Sequence, residues 1–448
     1  MHEPIISISG LRGIIGESLT PGIALHYVAA FSEALPPGPI VLSRDSRPSG
    51  RMLGEVIRAT LVALGRHVID AGIIPTPTVG VLIRELRAAG GVQISASHNP
   101  AAYNGLKLFS GEGRVIPAAI GEKVLTLYAE RAGRWVHHDR LGKAEDAANP
   151  LAKHLELVLS RVNEERIRAQ KFRVLLDVNH GAGGELGLKL LERLGCKVTV
   201  LGQEPTGLFL HGAEPTGENL QGVAQTVAAV EAQLGFCLDP DSDRLAVIDE
   251  RGHYLGEEYT LALCLEHVLR KSPGAVVINC ATSRLNEDIA ERHGSTVTRS
   301  AVGEVNVVDE MLRRKATFGG EGNGGPIDPQ VGLVRDAFVG MALILDLMAS
   351  RNLPLSAIAG KLPHYEILKT KVTLAREEIP AALKALVDHF PSARPDWQDG
   401  LRLTWPDRWL LVRASNTEPI VRIIAEARTR ELVHALAAEA EQVVDKKK

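Results

Sequence analysis

Cysteine is scarce in this chain: Cys196, Cys237, Cys264 and Cys280 are all there is, and none stands in a Cys-x-x-Cys pair. That spacing gives neither a zinc site nor a disulfide framework. An excess of one charge is also lacking. The formal net charge is −3 at pH 7, so neither nucleic acid nor an anionic membrane is expected as a partner, and any anionic ligand has to be held by local basic residues. No long hydrophobic run is present. The most apolar stretch, 337–349, is broken by Asp346 and is too short to cross a bilayer. The N-terminal Met-His-Glu-Pro-Ile-Ile has no basic region leading into a long apolar one, so it does not read as a secretory signal, and a cytoplasmic protein is expected. A Walker P-loop is missing too. Gly181-Ala-Gly183-Gly184 fails as a dinucleotide fingerprint because its third glycine falls one residue late, at Gly187.

What is present is length and repetition. The 448 residues are too many for one core and suggest roughly three or four domains. One unit recurs three times: a β-branched run exits into a loop, a helix follows, and a glycine precedes the next strand. The runs are 39–45, 172–177 and 275–280, and the glycines are Gly65, Gly195 and Gly294, each suited to a left-handed helix cap. Three such β-α-β units predict three similar α/β domains. The C-terminal part differs. A strand at 369–374, a helix at 379–390, strands at 401–405, 409–413 and 420–425, and an amphipathic helix at 431–444 predict an antiparallel α+β module. The expected divisions are 1–148, 149–251, 252–364 and 365–448, with 142–150 and 249–252 as candidate linkers.

Four stretches carry chemistry. Residues 90–100, Gly-Gly-Val-Gln-Ile-Ser-Ala-Ser-His-Asn-Pro, read as a short apolar strand running into a polar turn that bears Ser97 and His98. The competing reading is an ordinary turn whose hydroxyls bond local backbone. Asp239-Pro-Asp241-Ser-Asp243-Arg244 lies between two apolar strands. Three alternating carboxylates there can face one cation, and oxygen ligands point to Mg²⁺ or Ca²⁺. Glu250 stands at the twelfth position of a would-be EF-hand, but Arg244 occupies the position that needs glycine and strands flank the loop, which excludes that motif. Gly319-Gly320-Glu321-Gly322-Asn323-Gly324-Gly325 surrounds a carboxylate with glycines that would let backbone approach a ligand, and Glu321 suits sugar hydroxyls. Arg413-Ala-Ser415-Asn416-Thr417-Glu-Pro-Ile-Val-Arg422 sets hydroxyls, an amide and two guanidinium groups about a turn, a combination suited to a phosphate dianion.

These stretches, in this order and with Ser9-Gly-Leu-Arg12, Arg44-Asp-Ser-Arg47, Tyr103-Asn-Gly-Leu-Lys107 and 211–220, resemble the α-D-phosphohexomutase family over nearly the whole chain. The resemblance implies three α/β domains with mixed sheets and a C-terminal α+β domain around a central cleft. It implies an isomerase that moves a phosphoryl group between the 6- and 1-positions of a hexose by way of a phosphoserine and a 1,6-bisphosphate. By position, Ser97 is the phosphoserine and, with Asp239, Asp241 and Asp243, a Mg²⁺ ligand. Arg12 and Lys107 stand near the transferring group. Glu321, Asn323 and Arg244 bind substrate, and Arg413, Ser415, Asn416, Thr417 and Arg422 clamp its other phosphate. A hexose phosphate is the implied partner, a hexose 1,6-bisphosphate the implied activator, and the chain is expected to act as monomer or homodimer.

One motif departs from the family pattern. The hexose loop often reads Gly-Glu-x-Ser-Gly-His, whereas Asn323 and Gly325 stand at the serine and histidine positions here. His98 and Lys107 are the candidates to replace that histidine in proton transfer. The Gly-Glu-Gly-Asn-Gly-Gly form resembles archaeal-type phosphoglucosamine mutases, which favours glucosamine phosphate over glucose or mannose phosphate. A metal-dependent phosphatase or glycosyltransferase and a non-catalytic sugar-phosphate-binding regulator are the competing functions.

Overall fold

The computed structural model describes residues 4–7, 9–414 and 420–445. Each β-α-β repeat grows into the same four-stranded arrangement. In the first, Ile40–Arg44 lies between Val68–Ile73 and Gly90–Ile94, parallel to both, and Tyr103–Ser110 adds antiparallel to Gly90–Ile94. In the second, Arg173–Asp177 lies between Lys197–Leu201 and Leu234–Leu238, and Leu245–Asp249 is the antiparallel edge. In the third, Ala275–Asn279 lies between Thr296–Ser300 and Phe318–Glu321, with Gly325–Ile327 antiparallel to the latter. The sheets are therefore mixed, and in each the last parallel strand turns back on itself through a hairpin.

That hairpin is what positions the site. The loops carrying Ser97, the three aspartates and the glycines after Glu321 are the turns of the three equivalent hairpins. The loops at the ends of parallel strands in α/β sheets are where ligands bind, and repetition puts three such loops where they can meet. The first sheet is widened by Ile5–Ser7 and Gly10–Ile14 beyond Tyr103–Ser110, and by Ala144–Asp146 beside Val68–Ile73. Part of the 142–150 stretch expected as linker is thus an edge strand.

The C-terminal sheet is antiparallel throughout, in the order Glu366–Thr373, Ile420–Ala427, Trp409–Ala414, Leu401–Thr404, Arg394–Asp396. Helices Ile379–His389 and Arg430–Val444 cover it with Leu383, Leu386, Val433, Leu436 and Ala440. This core is separate. The other three sheets share one hydrophobic cluster, from Val41 through Phe236 to Tyr365.

At its centre lies helix Ala337–Arg351, whose residues 337–349 are all buried. Its apolar composition reflects a helix enclosed on every side. Asp346 inside it is met by Arg166, His267 Nε2 at 2.9 Å and Lys271 at 2.9 Å. No helix among the described residues is long and apolar enough to cross a membrane.

The N-terminus of this helix ties to helices Ala152–Leu159 and Thr76–Leu86 of the two preceding domains. Asp336 caps it by accepting from the N–H groups of Phe338 and Val339. The same carboxylate lies 2.7 Å from His154 Nε2, and His154 Nδ1 lies 2.8 Å from Thr78 Oγ1. With Nε2–H donating to the carboxylate, Nδ1 accepts from the threonine hydroxyl, and the fully buried ring is satisfied on both sides. Replacing His154 by Ala leaves a buried carboxylate and a buried hydroxyl without this partner. We expect a stability loss of about 2–4 kcal/mol, read as a lower urea midpoint, and a midpoint unchanged from the wild type would contradict this strut.

Candidate active site

Ser97 sits just past the end of Gly90–Ile94 with φ of 50°, in the left-handed region that non-glycine residues seldom occupy. Its surroundings hold it there. Ser97 N–H donates to Ser95 Oγ (2.9 Å), and Ser95 Oγ donates to Asp45 Oδ2 (2.7 Å). Arg47, ion-paired with Asp45, donates through Nη2 to the carbonyls of Ser97 (2.7 Å) and Asn99 (2.6 Å). The hydroxyl lies 3.4 Å from His98 Nδ1 of the same loop. It donates to Asp239 Oδ2 at 3.0 Å, across to the second hairpin.

The three aspartates of that hairpin are completely buried, and one carboxylate oxygen from each lies within 4.8 Å of the other two. Burial pushes all three carboxyls upward, repulsion from neighbouring carboxylates adds to this for Asp239 and Asp241, and Asp239 stays well above the usual range. For Asp241, Lys107 and Thr76 reverse the direction; for Asp243, Arg335 and Lys107 do so. Lys107 Nζ lies 2.5 Å from Asp241 Oδ2 and 2.7 Å from Asp243 Oδ2. Despite its burial, Lys107 is held as the cation by those two carboxylates. Strand register explains its position: Gly10 faces Lys107 and Arg12 faces Gly105 on adjacent antiparallel strands, so both cations emerge side by side.

One oxygen each of Asp241 and Asp243 is buried with no hydrogen-bond partner. Bare carboxylate oxygens, all hard donors, beside a serine hydroxyl fit a divalent cation of the Mg²⁺ type. The chemistry such an ion supplies when bound is neutralisation of the oxygens of a transferring phosphoryl group. Glu250 takes no part, since it accepts from Ser356 instead.

A cleft of about 810 Å³ opens beside this cluster. Its walls carry Arg12, His98, Arg244, Glu321, Asn323, Arg413 and Arg422, contributed by all four sheets and their loops. Arg244 reaches Glu214 at 3.3 Å. Burial, helped by the Arg244 and Arg12 cations, pushes His98 down to about 3, so its ring is neutral at pH 7 and a weak base. Arg413 and Arg422 are cross-strand partners. Like charges directly opposite each other are unfavourable without an anion between them, and among the described residues Asp399 offsets the Arg413 side, at 3.2 Å. Ser415, Asn416 and Thr417 lie outside the described residues.

Glu321 is nearly as buried as the aspartates. It accepts from Asn279 Nδ2 (2.7 Å), Gly303 N–H (3.1 Å), Arg335 Nη1 (2.7 Å) and, more loosely, Asn323 Nδ2 (3.4 Å). The surrounding glycines do more than admit a ligand. Gly324, at φ of 85°, accepts from Leu245 N–H (2.8 Å), and a side chain there would strike the Leu245 carbonyl. A Cβ on Gly322 would lie 2.1 Å from the Glu258 carboxylate. Several of these glycines thus make room for protein groups, and Gly322 also lines the cleft.

Sequence reasoning missed four contributors. Arg47 lay inside a quoted stretch without a role, Thr76 holds Asp241, Arg335 joins Asp243 to Glu321, and Glu258 lines the cleft beside Gly322. Only Asp336, a capping residue ahead of an apolar run, left a readable trace of this region. Glu258 accepts from Ser283 N–H (3.0 Å). Burial pushes its carboxyl up to about 8 from an ordinary 4.5, against the Ser283 N–H and Lys369. The folded protein therefore holds this proton more tightly than the unfolded chain. The resulting stability is present at low pH and lost as pH rises toward 8. The urea midpoint of the wild type should fall more between about pH 5 and pH 9 than that of Glu258→Gln, and equal falls would contradict the assignment.

Four family descriptions match consecutive parts of the chain. They are the phosphoglucomutase/phosphomannomutase alpha/beta/alpha domains I, II and III, over residues 5–134, 152–252 and 257–365, and the C-terminal domain over 370–443. A phosphoglucomutase/phosphomannomutase of Thermococcus kodakarensis is 37% identical over 94% of both chains. A probable phosphoglucosamine mutase of Pyrococcus abyssi is 33% identical, covering 97% of this chain and 96% of its own. Among solved structures, a phosphoglucomutase/phosphomannomutase family protein of Burkholderia thailandensis superposes with a TM-score of 0.86 at 25% identity, over 99% of this chain and 98% of the other. The three hairpin loops, the acidic cluster and the antiparallel C-terminal sheet agree with these matches: the chain belongs to the phosphoglucomutase/phosphomannomutase family of phosphohexomutases.

Proposed function

We propose that this phosphohexomutase interconverts glucosamine 6-phosphate and glucosamine 1-phosphate, with Ser97 as phosphoryl carrier and a bound 1,6-bisphosphate as intermediate. The observation that carries the reading is the Ser97 hydroxyl, 3.0 Å from Asp239 on the loop that Lys107 also holds, with its neighbour His98 lining a cleft that has Glu321 and paired arginines on other walls. In the first half-reaction the P–O bond of phosphoserine breaks as a bond forms to a free sugar hydroxyl oxygen. The hydroxyl proton leaves, and the serine oxygen recovers one. In the second, the bisphosphate has turned over, its other phosphoryl group returns to Ser97, and the isomeric monophosphate is released.

Each residue acts on charge or position. Lys107 and Arg12 face the oxygens of the transferring group and offset their charge. Asp239, Asp241, Asp243 and the Ser97 oxygen would hold Mg²⁺. Arg413 and Arg422 would hold the phosphate that is not being transferred, and Glu321 and Asn323 the sugar hydroxyls between the two phosphates. Arg244, reaching Glu214 on the cleft wall, would complete the substrate contacts. A hexose 1,6-bisphosphate would activate the enzyme by charging Ser97. His98, neutral and weakly basic, would serve as a hydrogen-bonding group beside the hydroxyl, 3.4 Å away, and not as a strong base.

For the substrate, the Gly-Glu-Gly-Asn-Gly-Gly loop supports glucosamine. So do Glu214 and Glu257, carboxylates lining the same cleft as Glu321, which suit an ammonium group on the sugar. The likeness to the Thermococcus phosphoglucomutase/phosphomannomutase favours glucose or mannose phosphate as the second reading.

Assaying the 6-phosphates of glucosamine, glucose and mannose side by side decides between them. We expect kcat/KM for the amino sugar to lead by about tenfold or more. A lead for glucose or mannose would overturn the substrate assignment. Ser97→Ala should lower mutase activity by about a thousandfold or more, and a variant with wild-type activity would contradict the carrier role.

A further inference from the structure

Arg335 occupies a position that neither the loop motifs nor the reaction scheme above uses. It follows the third hairpin and precedes the buried central helix. Its side chain is almost fully enclosed, and its three nitrogens go to three different carboxylates. Nε donates to Glu304 Oε2 (2.9 Å), Nη1 to Glu321 Oε2 (2.7 Å) and Nη2 to Asp243 Oδ2 (2.8 Å). One guanidinium thereby joins the acidic loop of the second sheet, the hexose loop of the third, and the start of helix Glu304–Arg314. Gly303, at the start of that helix, donates to the other oxygen of Glu321. A planar fork with fixed donor directions sets the angle between the carboxylates it binds, which a lysine cannot do.

The stem of the same side chain fills the space above Gly325. A Cβ on Gly325 would lie 2.3 Å from Arg335 Cδ, 2.8 Å from Cγ and 3.1 Å from Cβ, its three nearest heavy atoms. Gly325 has no positive φ, so its backbone alone does not call for glycine. The requirement is for room, and Arg335 takes it.

We propose that Arg335 is the positioning residue that fixes Glu321 against the acidic loop, and that Gly325 is glycine so that the arginine can lie there. The arginine acts on the substrate through Glu321 and through the spacing between hexose loop and acidic loop. Its neighbour Asp336 belongs to the His154–Thr78 strut, so the backbone carrying the guanidinium is itself tied to helix Thr76–Leu86 of the domain that bears Ser97. The inference rests on the mutase reading only for the ligand, a hexose phosphate.

The test is a double-mutant cycle of Arg335→Ala and Gly325→Ala, with Arg335→Lys alongside. Binding of glucosamine 6-phosphate and of glucose 6-phosphate is measured by titration calorimetry, turnover by mutase assay, and melting temperature on every variant. Each single alanine variant should weaken binding by about tenfold to a hundredfold, the range expected for loss of hydrogen bonds to a charged group. The double variant should be no worse than Arg335→Ala alone, because the added methyl then enters vacated space. Arg335→Lys and Gly325→Ala should raise KM more than they lower kcat, and should reduce discrimination between the two sugars, a change that a mere drop in melting temperature does not produce.

Additive losses in the cycle would overturn the proposal. So would losses that follow melting temperature while discrimination is unchanged. Calorimetry needs no turnover, so the two readings fail separately. A wild type that binds but does not isomerise contradicts the mutase reading alone, and an active wild type with additive losses contradicts this one alone.

Discussion

The site depends on one electrostatic arrangement: three aspartates enclosed by protein within a few ångströms of each other. Burying carboxylates together is unfavourable unless cations compensate them closely. Here the compensation comes from different parts of the fold. Lys107 comes from the first sheet and Arg335 from the third, each within 3 Å of an aspartate oxygen. Two further carboxylate oxygens remain without hydrogen bonds. The protein's own cations thus meet one oxygen each of Asp241 and Asp243 and leave the other oxygen of each without a hydrogen bond.

The same arrangement explains why three repeated domains are required. Each hairpin turn alone is a short polar loop. The acidic turn becomes tolerable only when Lys107 and Arg335 reach it from its neighbours. Backbone contacts between the turns reinforce this: Thr76 N–H donates to the Asp241 carbonyl, and Leu245 N–H to the Gly324 carbonyl. The central buried helix, with Asp336 at its start and Asp346 further along, ties the sheets together behind the site. The C-terminal module, with its own core, brings Arg413 and Arg422 to the opposite side of the cleft.

Much of the fold could be read locally. A β-branched run, a helix and a capping glycine follow one another within thirty or so residues, and that order appears in the structure at all three repeats. The two C-terminal helices and four of the five strands were legible for the same reason, whereas the short edge strand Arg394–Asp396, with no apolar alternation, was not. Alternating aspartates between apolar strands announced a cluster because a strand-flanked turn leaves them nowhere else to point. What stayed hidden depends on contacts distant in sequence. Ser97 and Asp239 are 142 residues apart, and Arg335 and Asp243 are separated by 92. Glu258 looked like one of many acidic residues at a helix start, and only the fold brings it against Gly322. Gly325 showed in the sequence as a departure from the family pattern, but the side chain filling its space could not be inferred without the third dimension.

The central claim is that Ser97 carries the phosphoryl group, held over the acidic loop. Intact-mass measurement followed by peptide mapping tests it most directly, on protein exposed to glucose 1,6-bisphosphate with Mg²⁺ and then to excess hexose monophosphate. The account predicts one added phosphoryl group, mapped to Ser97, that is lost on exposure to the monophosphate and never appears on Ser97→Ala. Protein that carries no phosphate on Ser97 under either condition, while still interconverting hexose phosphates, would contradict it.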